Sequence, residues 1–397
     1  MAGNVSTLRP AGLPSGYPAE IDANVKIRFV DDMLVNMSDR DAPLLKYFGG
    51  VSQFTFNNPK VEWVEDDVWT RRPTHGGLVA AGTTALTVTG GAHRYPVGTL
   101  LCHVTSGEIV RVSAIADANT LTLTRDMTGD ITEGAWASTD EVIVAGQAMS
   151  EDQDWAFRPG GIFTLPFNYA QTSHVGIQVT FRRNATALYG LRGTDLDDQS
   201  AKTVAEQFAA IDGGLMFGRR FVGSGTANPA TFGGLRYYIT AANGAQVLDL
   251  NGAAITRSDI EGELQDVAYA VGMQNVPDTF LCSIPGARKV ASFFTSAERI
   301  NSPAQSTAGV FIDTINTAFG PIRFIPLITI AKDDMIAVKR ENVKIGHYDG
   351  LGRPHLLQLP NPSATGPRIQ RAYYGDTSMM VKGVEGAIRI QEISTSV

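Results

Sequence analysis

Apolar positions along this chain change period several times, and each change marks a different kind of element. The first twenty-odd residues, rich in Gly, Pro and Ser, carry no apolar period, which predicts an extended arm rather than a packed element. Within IRFVDDMLVNMSDRDAPLLKYFGG, Val30, Leu34 and Met37 recur at intervals of four and three, as a short amphipathic helix would place them. Pro43 and Gly49-Gly50 are expected to end that signal. From Gly76 to Gly146 the period drops to two. LTVTG, GTLLCHV, EIVRVSAI, NTLTLTRD and DEVIVAG are short alternating runs between Gly, Asp and Asn, which predict a self-contained small β-barrel or sandwich. Residues 161–181, GIFTLPFNYAQTSHVGIQVTF, alternate as a further strand interrupted by Pro166.

Beyond residue 185 the helical period returns and mixes with strands. A long helix begins near Thr194, where DLDDQ sets carboxylates at the positive end of the helix dipole, and Val204, Phe208, Ile211 and Leu215 then form one apolar face. Arg219 and Arg220 read as its C-terminal cations, with Gly223 to Gly225 as its stop. Gly213-Gly214 costs about 1 kcal/mol per glycine relative to alanine, which implies a close packing partner there. A second helix opens with Ser258 and Glu261 at capping-box spacing and buries Ile260, Leu264, Val267 and Val271. TFLCSIP then reads as a strand, GARKVASFF as a helix, and VFIDTINTAFGPIRFIPL as two strands about a Phe319-Gly320-Pro321 turn. MIAVKR, HLLQL and GAIRIQEI supply further strands, so this region is α+β with a mixed or antiparallel sheet. No period of about 20 to 50 residues repeats, which excludes a solenoid.

Composition narrows the function. At 397 residues the chain is long enough for two or three cores. Its formal charge of -7 disfavours a protein that grips nucleic acid along a basic surface. Cys102 and Cys282 stand 180 residues apart, without zinc-site or disulfide-framework spacing. The start of the chain lacks a signal-peptide pattern, and no window approaches the ~18 apolar residues of a membrane span. A non-exported chain with no membrane partner is the expectation.

Catalytic signatures are sparse. GxxxxGK[ST], GxSxG and HExxH are absent, and GGLRYYI and GGLMFG lack the strand-turn-helix context of a dinucleotide site. The six histidines are scattered, so no metal and no cofactor is expected. What stands out is KVEWVEDDVW at 60–69, with Glu62, Glu65, Asp66 and Asp67 between Trp63 and Trp69, and MSEDQDW at 149–155. Paired acids beside tryptophans suit glycoside hydrolysis. In an extended strand, however, Glu62, Val64 and Asp66 share one face while Trp63, Glu65 and Asp67 share the other, so no apolar-lined acid pair emerges. A solvated or inter-subunit charged surface is the better reading.

The order of segments carries more than any one residue. MLVNMSDRDAPLLKYFGG is similar to an arm segment, EWVEDDVW to the outgoing strand of an extended loop, and FNYAQTSHVGIQVT to its returning strand. YPVGTLLCHVTSGEIVRVSAIADANTLTLTRDMTGD resembles a domain inserted in that loop, with its E-hydrophobic-V and Arg-x-x-x-Gly features. TFGGLRYYI is similar to the segment after a spine helix, and FGPIRFIPLITIAKDDMIAVKRENVKI to the last axial strands. In this order, over nearly the whole chain, they resemble the major capsid proteins of tailed bacteriophages, with the Hong Kong 97-type fold, in the subgroup bearing a β domain in the extended loop. The chain departs from the family where AAIDGGLMFG interrupts the spine helix with glycine. No Lys and Asn pair for isopeptide crosslinking can be assigned, and none is predicted.

The resemblance implies an α+β fold with an N-terminal arm (1–48), an extended loop (49–75 and 147–184) and an inserted all-β domain (76–146). It further implies a peripheral domain with the spine helix (185–240 and 346–397) and an axial domain (241–345). It implies a structural, non-enzymatic subunit that self-assembles into pentamers and hexamers of an icosahedral shell around double-stranded DNA. Synthesis would be in the bacterial host cytoplasm and residence in the virion, with portal, scaffolding and decoration proteins as further partners. Trp63, Glu65, Asp66, Trp69, Arg71 and Arg158 are the candidate inter-subunit contacts. The rival readings are a β-rich carbohydrate-active enzyme and another virion component such as a decoration or tail protein.

Overall fold

The computed structural model describes residues 41–66, 69–78, 82–127, 129, 133–152, 163–186, 194–293, 314–360 and 367–394. The helix expected around Val30, Leu34 and Met37 lies outside them. Pro43 does not end a helix but opens one, α1 (Pro43–Phe48), because the N–H that proline lacks is among those a first helical turn leaves unbonded anyway. Ala42 at the N-cap has no side chain to offer. The cap comes instead from far along the chain: buried Asp212 accepts the Leu45 N–H at 2.6 Å through Oδ1. Gly49, at φ 95°, closes the helix in the left-handed region.

β1 (Phe54–Phe56) and β2 (Lys60–Glu62) follow. Next come β3 (Ala85–Thr87), β4 (Thr99–His103), β5 (Ile109–Ile115), β6 (Thr120–Thr124) and β7 (Val142–Gln147), which form one antiparallel sheet in the order β3-β6-β5-β4-β7. Alternate residues turn inward to a core of their own that includes Leu86, Leu101, Val110, Val112, Leu121 and Leu123. That core encloses a buried ion pair. Arg125 donates through Nε and Nη2 to the two Glu108 oxygens at 2.9 and 2.7 Å, and Trp136 Nε1 donates to the same carboxylate at 2.9 Å. Burial pushes the Glu108 carboxyl up, but the Arg125 and Trp136 hydrogen bonds and the Arg125 charge outweigh it and hold the group below its ordinary range. His103 stacks flat on Trp136, with ring centroids 4.7 Å apart.

β8 (Phe167–Tyr169) and β9 (Gln171–Thr180) lie on either side of Ala170, and Thr180 caps the short α2 (Phe181–Ala185). α3 (Asp195–Phe217) starts where expected, with Thr194 as N-cap accepting the Asp197 N–H. It ends earlier than expected. A Cβ at residue 218 would stand 2.5 Å from the carbonyl oxygens of Gly214 and Phe232, so only glycine fits where the chain turns away. Arg219 and Arg220 therefore lie beyond the helix and do not serve as its last-turn cations. Gly214 has the close partner the sequence implied, since a Cβ there would meet the Phe232 ring at 3.0 Å, whereas Gly213 faces open space.

α4 (Leu235–Tyr238), β10 (Gln246–Asp249) and α5 (Arg257–Val271) come next. The capping box of α5 is Thr256 with Asp259, not Ser258 with Glu261; Glu261 pairs instead with Arg257 one turn back. The remaining elements are β11 (Thr279–Cys282), α6 (Ile284–Ser292), β12 (Thr314–Thr317), β13 (Gly320–Pro326), β14 (Met335–Ala337), β15 (Val343–Tyr348), β16 (His355–Gln358), β17 (Arg368–Val381) and β18 (Ile388–Gln391).

Two mixed sheets organise them. In the first, β1-β15-β17-β16 is the strand order and β9 pairs along β17 from Thr180↔Arg368 to Gln171↔Thr377. In the second the order is β10-β18-β14-β11-β13-β12, with β10-β18 and β11-β13 parallel. The last strand thus joins the second sheet, although it falls in the 346–397 stretch grouped with the spine helix by sequence. Ile388 and Ile390 fix it there by turning into the core that also holds Ile260, Leu264, Val267 and Phe280. The other core gathers Leu44 and Phe48 of α1, Ile211 and Leu215 of α3, Ile345 and Met379.

Candidate functional site

The first of the two acidic, tryptophan-bearing stretches lies beside the strand that follows Pro166. β2 and β8 pair antiparallel, Lys60↔Tyr169 to Glu62↔Phe167. Pairing continues where Trp63 N donates to the Pro166 carbonyl at 3.1 Å, and Glu65 and Thr164 exchange backbone bonds at 3.0 and 2.9 Å. Pro166 is tolerated because it offers its carbonyl here, not the N–H it lacks.

The inner face is anchored by hydrogen bonds that periodicity does not reveal. Trp63 is only 5% exposed and packs 6.0 Å from the Tyr238 ring. Its Nε1 donates to Glu65 Oε1 at 3.0 Å, and the same oxygen accepts the Gly383 N–H at 2.9 Å. Asn168, fully buried in β8, donates to the Gly233 and Met379 carbonyls at 3.1 and 2.7 Å. Its Oδ1 accepts the N–H groups of Gly233 and Tyr169 at 2.7 and 2.9 Å. Arg220 and the Tyr238 hydroxyl both donate to the Phe167 carbonyl, at 2.9 and 2.7 Å, and the Arg220 guanidinium lies 3.9 Å over the Phe167 ring. Burial pushes the Tyr238 phenol far up, so it remains a donor. A cleft of about 330 Å³ opens beside these groups, lined by Glu65, Leu165, Arg220, Tyr237, Asn243 and Glu385 among others. Burial raises the Glu385 carboxyl, the Glu65 charge adds to the rise, and Arg94 opposes it.

The outer face mixes exposed apolar side chains with the carboxylates of Glu62 and Asp66. Val64, Phe163 and Leu165 are 62%, 66% and 62% exposed, and Trp69 is exposed as well. Glu62 is exposed and paired with Lys60. Asp66 and Arg71 are exposed, and the Arg71 carbonyl accepts the Val144 N–H. Arg158, Asp67 and the second stretch from Gln153 to Trp155 lie outside the described residues. Of the six residues singled out, Trp63 and Glu65 are turned into their own chain, which leaves Asp66, Trp69 and Arg71 as the described surface groups. Asn168, Arg220 and Gly383 were missed. A buried Asn between Phe and Tyr in a strand was the available hint; Arg220 acts on a backbone carbonyl and Gly383 through its own N–H, and no sequence pattern marks either.

Glu65 is held by two N–H donors and Glu62 by a lysine, so the acids of this stretch serve contacts within the chain. Among the described residues no group of three or more His, Cys, Asp or Glu could hold a metal, and no helix is long and apolar enough to cross a membrane.

Comparison with known proteins agrees. The family model described as SU10 major capsid protein matches residues 16–394. No curated protein matches the chain. Among solved structures, the cyanophage A-1(L) capsid asymmetric unit is 11% identical, with 94% of this chain and 98% of that one covered at a TM-score of 0.52. The capsid of a native GTA particle is 12% identical over 94% of this chain and 96% of that one, at 0.48. A Microbacterium phage Oxtober96 chain is 12% identical over 93% and 96%, also at 0.48.

Proposed function

The chain belongs to the SU10 major capsid protein family, a structural and non-enzymatic subunit of phage shells, and from that premise we propose that its copies clasp one another through the outer face of the paired strands. One observation carries the reading. Val64, Phe163 and Leu165 form an apolar patch on a ribbon whose inner side is locked down by Trp63, Asn168 and Arg220. A rigid backing with a greasy front is what a contact between copies needs, because ordering is already complete before association. Asp66, Trp69 and Arg71 lie at its rim.

In this reading residues 1–48 act as the arm, 49–75 and 147–184 as the extended loop, and 76–146 as the inserted β domain. Residues 185–240 with 346–397 form the peripheral domain, and 241–345 the axial one. Pentamers and hexamers close an icosahedral shell around double-stranded DNA, made in the host cytoplasm and kept in the virion. The charge of -7 suits a wall that lets phosphates slide. Portal, scaffolding and decoration proteins are its further partners.

The test is electron microscopy of the expressed protein, alone and with its scaffold, beside the Val64→Asp/Leu165→Asp variant. Parent protein should give uniform shells or capsomers. The variant should melt within a few degrees of the parent yet stay unassembled. A variant that assembles normally overturns the assignment of this face, and a parent that is monomeric under every condition overturns the shell reading.

A further inference from the structure

The five-stranded sheet β3–β7 is seated on the body of its own chain at a definite place. The linker entering it, Thr70–Arg72, is tied to the sheet: the Tyr95 hydroxyl donates to the Thr70 carbonyl at 3.2 Å, and Val144 N–H to the Arg71 carbonyl at 2.9 Å. The same linker reaches the C-terminal end of α5. Thr70 Oγ1 donates to the Tyr269 carbonyl at 3.2 Å, and the Arg72 guanidinium lies 4.1 Å over the Tyr269 ring while pairing with Glu141.

The last turn of α5 carries no basic residue. Of its final carbonyls, Ala268 accepts the Gly272 N–H and Val271 the Asn275 side chain, and the linker meets that of Tyr269, supplying a hydroxyl donor and a cation.

We propose that Thr70 and Arg72 form a clasp that caps α5 from outside and seats the β3–β7 sheet on its own subunit, so that releasing the clasp frees the sheet as a body while both cores stay folded. The two cores share no residue, and the contacts between them here are polar or cation-on-ring, each weak enough to open. The inference rests on these contacts alone and does not depend on where copies meet.

Hydrogen exchange on the full chain tests it. In Thr70→Val/Arg72→Ala, amides of 69–75 and 265–272 should exchange at least about two- to fivefold faster, the range a cation–π contact of this kind implies. β4–β6 and residues 258–264 should keep their protection. Glu141→Gln, which removes only the ion pair, should leave 265–272 unchanged. Unchanged exchange at both segments in the double variant overturns the clasp. So does loss of protection in β4–β6 together with the linker, since the residues would then belong to the fold of the sheet itself.

Discussion

Asp212 shows how one residue can serve two elements. It caps α1 from α3 and bears a carboxyl raised first by burial and further by Asp41, with the Leu45 N–H pulling the other way. A carboxyl that holds its proton more tightly folded than unfolded costs stability above its folded pKa, and the cost fades as pH falls through that value. Asp212→Asn keeps an acceptor for Leu45 and removes the charge. Chemical denaturation should find it more stable than the parent at pH 7, with the difference shrinking as pH falls through the folded value. Asp212→Ala orphans the N–H and should lose about 1–2 kcal/mol. Glu108 has the opposite sign. Its lowered carboxyl stabilises above the ordinary carboxylate range and stops doing so as pH falls through its folded value, so Trp136 fluorescence should report the inserted sheet opening first in acid. Glu108→Gln strands a buried Arg125 at a cost of about 3–5 kcal/mol, whereas Glu108→Leu/Arg125→Met should cost far less.

At the scale of elements, the glycines of α3 separate propensity from packing. Gly213→Ala adds a methyl to open space and should stabilise by up to about 1 kcal/mol. Gly214→Ala drives its Cβ to 3.0 Å from the buried Phe232 ring and should destabilise despite the same gain in helix propensity. Thermal melts of the two variants should move in opposite directions. Both glycines looked alike in the sequence, where the pair implied a close neighbour; only the position of Phe232 distinguishes them. The limits of α3 and α5 show the same division. The start near Thr194 was legible because the acidic DLDDQ run lies within its first turn, while the stop at Gly218 depends on Phe232 and Gly234 crossing from another segment.

For the whole molecule, the acidic stretches change meaning. Glu62 and Glu65 are already satisfied within the chain, so the proposed contact with a neighbour is carried by Val64, Phe163 and Leu165, and copies of net charge -7 repel at long range. Raising NaCl from about 0.1 M to about 1 M cuts the screening length from about 10 Å to about 3 Å. Shell yield, followed by light scattering, should therefore hold or rise with salt. A fall would place the contact on Asp66, Arg71 or other exposed charges instead.

The sequence by itself determined the local elements and their order: alternating runs made the inserted sheet, three- and four-residue spacing made α3 and α5, and that order already resembled a capsid subunit. Those features are encoded by neighbours a few residues apart, where side-chain period and capping chemistry act directly. Only the tertiary structure decided which way KVEWVEDDVW faces. Trp63 and Glu65 turn inward because Tyr238 and the Gly383 N–H, some 175 and 318 residues away, wait there, and such partners leave no period to read.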